Sequence, residues 1–127
     1  MNAKKLEKIR KDHGIPATIT AEAEAAAMAA AISRASEAAD VVAAWKEAAR
    51  ATIAAAVNAG EAVEDDDASA TGRVMKAAAV FGSWAIVETI TETRNFSRSD
   101  AKKLLTPDQV EACTRYGTRT AYTAEAV

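Results

Sequence analysis

Residues 21–59, AEAEAAAMAAAISRASEAADVVAAWKEAARATIAAAVNA, hold twenty alanines in thirty-nine positions and neither glycine nor proline. Alanine is the strongest helix former because helix formation costs its side chain no entropy. Within the tract Met28, Ile32, Ala35, Ala39, Val42, Trp45, Ala49, Ile53 and Val57 recur at spacings of three and four. That spacing lays the larger side chains in one stripe along an alanine cylinder. The tract therefore predicts helix over 20–59. Thr20 is the expected N-cap, Glu22 and Glu24 occupy a first turn where the helix dipole favours negative charge, and Gly60 lies beyond the stop. An unbroken helix of this length runs about 57 Å at ~1.5 Å per residue. A compact chain of 127 residues is only about 36 Å across, from its ~14 Å radius of gyration. Either the helix breaks near 33–36, where Ser33 and Ser36 can bond backbone groups, or it projects and packs on another chain.

Upstream, residues 1–13 read as a short amphipathic helix. Leu6 and Ile9 lie on one side, Lys4, Lys5, Lys8 and Lys11 surround the rest, and Gly14 is the stop. Downstream, residues 60–71 read as an acidic connector built on Glu64, Asp65, Asp66 and Asp67. Residues 71–93, TGRVMKAAAVFGSWAIVETITET, are the most hydrophobic segment and are read as the central helix, capped by Thr71, with Gly82 and Ser83 marking a close crossing or a kink. Residues 88–93 alternate with β-branched side chains, a pattern that a short strand shares. Residues 97–117 read as two short helices, the second opening with Thr106 as N-cap, Pro107 at N1 and Gln109 at N3. Residues 118–127 are left as a tail. The expected fold class is all-α, a single-domain bundle of four or five helices.

The core of such a bundle is thin. Of the apolar residues 34 are alanine, while Leu, Ile, Val and Phe together number 21. A methyl group buries little, at roughly 0.8 kcal/mol per buried CH₂. Alanine seams gain stability by another route, letting helix axes approach toward the short end of the ~8–10 Å packing range. Tight helix pairing, within or between chains, is the expectation. Charge is unevenly divided: residues 1–13 net +3, residues 14–70 net −7 and residues 71–127 net +2. Basic ends and an acidic middle favour staggered contact between copies at moderate salt.

The chemistry-bearing residues are few. Cys113 and His13 are single, so there is no internal disulfide, no zinc set and no nucleophile with its base and orienting acid in evident reach. The acidic run at 64–67 lacks the alternating ligands and turn glycine of a calcium loop. Glycines 14, 60, 72, 82 and 117 are isolated and make no phosphate-cradling loop. No catalytic residue, cofactor, metal or small-molecule substrate is expected. The longest apolar run, at 77–87, has eleven residues, short of the ~20 that span a bilayer. The basic start is not followed by an apolar core, so no signal peptide is read and a cytoplasmic or virion location is expected.

The function expected is that of a non-enzymatic structural or assembly subunit, packing against copies of itself or a larger complex, such as a viral or phage particle. A small protein-binding inhibitor or adaptor is the second reading. The third is a DNA-binding regulator, since 97–117 has a helix-turn-helix outline, although Asp108 and Glu111 would lead its recognition helix toward phosphates. Candidate partner contacts are Lys4, Lys5, Lys8, Lys11, Phe96, Arg98, Lys102, Lys103, Arg115, Tyr116, Arg119 and Tyr122.

Overall fold

A computed structural model of the chain describes residues 2–34, 38–69, 72–96 and 114–127, with the side chains at 69, 94–96 and 114–116 outside the description. Three helices precede four strands: α1 (Ala3–His13), α2 (Glu22–Ser33), α3 (Ala39–Asn58), β1 (Val63–Ser69), β2 (Gly72–Phe81), β3 (Trp84–Phe96) and β4 (Thr114–Ala126). The strands form one antiparallel sheet in sequence order, β1-β2-β3-β4. The all-α bundle expected from the sequence is thus corrected to helices packed on a four-stranded sheet.

The decisive correction falls on residues 71–93. In place of a central helix, β2 and β3 form a hairpin in which Phe81 pairs with Trp84 across the two-residue turn of Gly82 and Ser83. Gly82 has φ +60° and among the described residues no non-glycine has positive φ, the pattern of a II′ turn, whose twist matches the flanking strands. Val74, Val80, Ile86, Val87, Thr89, Ile90, Thr91 and Thr93 are β-branched, stiff at χ1 and suited to a pleated surface. The run Ala77, Ala78 and Ala79 fits either period and hid the choice.

Two further expectations change with it. The acidic connector at 60–71 is mostly β1, an edge strand whose carboxylates discourage pairing with another strand. The tail at 118–127, together with 114–117 from the second of the expected short helices, belongs to β4, the opposite edge. The remainder of that helix pair, including Arg98, Lys102, Lys103, Thr106, Pro107, Asp108, Glu111 and Cys113, lies outside the described residues.

The alanine tract forms α2 and α3, which end and begin at Ser33 and Ala39. Ala21, not Thr20, occupies the N-cap of α2. Glu24 reaches back to accept from the N–H groups of Thr20 (3.0 Å) and Ala21 (3.2 Å). α1 is capped at one end by Asn2, whose Oδ1 accepts from Lys5 N–H at 2.8 Å, and at the other by Gly14 at φ +65°.

α3 packs over β2 and β3, α2 over β3 and β4, and α1 rests on α3. Between the layers Met28, Trp45, Ile53 and Ile86 meet Ile15 and Ile19 from the loop between α1 and α2. Ala25, Ala44, Ala48 and Ala49 are fully buried there and act as the smooth surface that lets helices approach closely. Trp84 is half-buried against the same cluster. Thr52 is the buried polar residue in this layer. Its hydroxyl donates to Ala48 O (2.7 Å) and accepts from Ile19 N–H (2.8 Å), fastening the loop to α3.

Candidate interaction surface

Strand register divides the sheet into two sides. Residues that pair directly share a side, so Met75, Ala77, Ala79, Phe81, Trp84, Ile86, Glu88, Ile90, Tyr122 and Ala124 lie beneath the helices. Val63, Val74, Ala78, Val80, Ala85, Val87, Arg119 and Ala121 lie on the other side. Among the described residues no helix covers that second side. Val63 and Val80 there are 65% and 54% exposed, whereas Val87, on an inner strand of the same side, is 8% exposed.

The two edges of the sheet differ in chemistry. β1 presents Glu64, Asp65, Asp66 and Asp67 in succession, of which Asp66 takes a two-pronged ion pair from Arg73 on β2. That pairing holds the Asp66 carboxyl below its usual range. β4 is thirteen residues long, and between 118 and 126 its only charged side chains are Arg119 and Glu125. Val127 N–H donates to Ser83 O at 2.9 Å, continuing the register in which Trp84 faces Ala126. Odd-numbered residues of β4 therefore turn their backbone groups toward β3, and even-numbered ones turn theirs to the outer edge. Among the described residues nothing pairs with that outer row.

On the helix side, Val57 near the end of α3 and Glu64, Asp66, Met75, Glu88 and Ile90 of the sheet surround a cleft of about 420 Å³. Its floor is apolar and its walls carry carboxylates. Beside Glu88, Tyr122 Oη donates to Glu88 Oε2 at 2.9 Å. Burial, reinforced by that bond, pushes the Tyr122 phenol up to about 12.

The candidate contacts read from the sequence do not converge on one site. Lys4, Lys8 and Lys11 are exposed on α1, while Lys5 Nζ sits 3.1 Å from Asp40 Oδ2 and ties α1 to the first turn of α3. Arg119 is exposed on the uncovered side of β4, and Tyr122 is half-buried on the opposite side of the same strand. The backbones of Phe96, Arg115 and Tyr116 lie in β3 and β4, with side chains outside the description. Sequence reasoning missed the outer edge of β4. A signal was present, since Thr114, Tyr116, Thr118, Thr120 and Tyr122 place β-branched or aromatic residues at every second position.

Among the described residues no His, Cys, Asp and Glu side chains group so as to hold a metal, and no helix is long and apolar enough to cross a membrane. Comparisons with protein-family models, with curated proteins and with solved structures return no match.

Proposed function

We propose that the chain is a non-enzymatic structural or assembly subunit that packs against copies of itself. The observation that carries this reading is the difference between the two sheet edges. β1 is guarded by four consecutive acidic residues, whereas β4 offers an outward row of backbone donors and acceptors with few charges beside it. Among the described residues nothing covers that edge, and a long uncovered edge is a template for another strand. Sedimentation equilibrium at micromolar concentrations tests the reading. The expected mass exceeds 13.3 kDa and rises with concentration; a monomer throughout that range overturns it.

A second reading, a small protein-binding adaptor, draws on the cleft by Val57. Its apolar floor and acidic walls suit a basic amphipathic segment of another protein. A monomer that binds a lysine-rich amphipathic peptide, with affinity falling as salt rises, would favour this reading over self-assembly.

A further inference from the structure

We propose that two copies of this chain join along β4 in a two-fold antiparallel register that sets Arg119 of each copy opposite Glu125 of the partner subunit, with Tyr122 on the axis. The proposal rests on the self-association reading above and specifies its geometry.

The backbone limits the choices. Only even-numbered residues of β4 direct their N–H and C=O groups outward, so even positions must meet even positions across a new seam. A two-fold axis requires the same pairing in both directions. Placing Tyr122 on the axis makes 120 meet 124 and 118 meet 126. On the uncovered side of the sheet it makes 121 meet 123 and 119 meet 125. Shifting the register by two residues sets Arg119 against Thr123 or Val127 instead. The charges choose between these. Among the described residues Arg119 is exposed with no ion-pair partner, and Glu125 accepts only from the Thr123 hydroxyl, at 3.2 Å. The Tyr122 register gives both a partner of opposite sign, twice per dimer.

The layer above the sheet agrees. α2 packs over both β3 and β4, which centres it near their seam. With strands ~4.8 Å apart, the two-fold brings the two α2 axes to about 10 Å, a normal helix-packing distance. The acidic β1 edges are left outermost, so the assembly closes as a dimer rather than growing as a sheet.

Charge reversal read by sedimentation equilibrium tests the register. R119E and E125R each set like charges face to face at two symmetric places and raise the dimer dissociation constant about tenfold or more. The double variant R119E/E125R returns it to near the wild-type value, and all these differences shrink at high salt. In a Cys113→Ala background, A121C/T123C gives a disulfide-linked dimer under mild oxidation far faster than either single variant. Facing residues of an antiparallel pair without mutual hydrogen bonds lie ~4.5 Å apart at Cα, within disulfide reach. This second test stands even where a reversed charge unfolds the chain. A wild-type protein that stays monomeric overturns both the proposal and the reading beneath it. A dimer that ignores the reversed charges, or is weakened by them without rescue in the double variant, and that fails to cross-link overturns this register and leaves self-association standing.

Discussion

The Glu22 carboxylate, in the first turn of α2, accepts from both the backbone N–H (3.3 Å) and the hydroxyl of Ser83, sixty-one positions along the chain at the β2–β3 turn. One side chain thus joins the start of a helix to the tip of the hairpin it packs against. The neighbouring turn position must be small as well as left-handed. A Cβ on Gly82 would collide with the Glu22 carboxylate. The two bonds from Ser83, side chain first, hold the Glu22 carboxyl below its ordinary value of 4.5.

Glu22→Ala is therefore expected to lower the melting temperature at neutral pH. A carboxyl with a lowered folded-state pKa stabilises the fold above its unfolded value, and that contribution is lost as pH falls through the folded value. The difference between variant and wild type should narrow as the solution is acidified below 4.5. Thermal melts by circular dichroism across that range check it. A difference that stays constant with pH would show that the Glu22 charge plays no part.

How much of this was legible in the sequence depends on the range of the signal. The helices at Ala3–His13, Glu22–Ser33 and Ala39–Asn58 follow from alanine content, Gly14 and Gly60, all local to the segments they shape. The sheet was legible in part. Gly82 followed by Ser83 between two apolar runs is a two-residue hairpin signal, yet Val74, Ala78, Phe81 and Ala85 also fall at helical spacing. Alanine tolerates both, so the choice depended on tertiary pairing of β2 with β3. Arg119 and Tyr122 could be picked as candidate contacts by residue type. That they sit on opposite sides of one edge strand, and that Arg119 and Glu125 share the side away from the helices while Tyr122 between them lies in the row whose backbone groups face outward, follows only from strand register.

The two sides of the sheet should respond differently to truncation. Ile86 is 0% exposed beneath the helices, and Val80 is 54% exposed on the uncovered side. Ile86→Ala removes three buried carbons from a core already thin in large side chains and should cost about 2–5 kcal/mol. Val80→Ala leaves that core intact and should change stability by less than about 1 kcal/mol. Urea denaturation of the two variants makes the comparison. Equal losses would mean that both sides of the sheet are covered alike.

Thr52 offers a test of how the loop between α1 and α2 is held. Thr52→Val keeps the shape of the side chain but leaves the buried Ile19 N–H without its acceptor, a loss of about 1–3 kcal/mol. Thr52→Ser keeps the hydroxyl and should retain most of that stability while giving up a methyl contact. Amide hydrogen exchange at Ile19 is the local readout. Faster exchange in the valine variant, with the serine variant close to wild type, is the expected order.

Tyr122 reports on the same sheet from the helix side. Its partial burial, and then its bond to Glu88, favour the neutral phenol, raising its pKa from 10.0 to about 12. A group whose folded-state pKa is raised stabilises the fold at every pH below its unfolded value and loses that contribution as pH climbs through the folded one. Between 10.0 and about 12, wild type should lose stability faster than Tyr122→Phe, which has no phenol to ionise. In a Tyr116→Phe variant the phenolate absorbance belongs to Tyr122 alone, and its midpoint should lie near 12. Glu88→Gln should lower that midpoint, since an amide retains an acceptor but repels the phenolate less. A midpoint at 10.0 in the unmodified Glu88 background would mean that Tyr122 is neither covered by α3 nor held by Glu88, and that β4 is freer of the helix layer than its pairing with β3 implies.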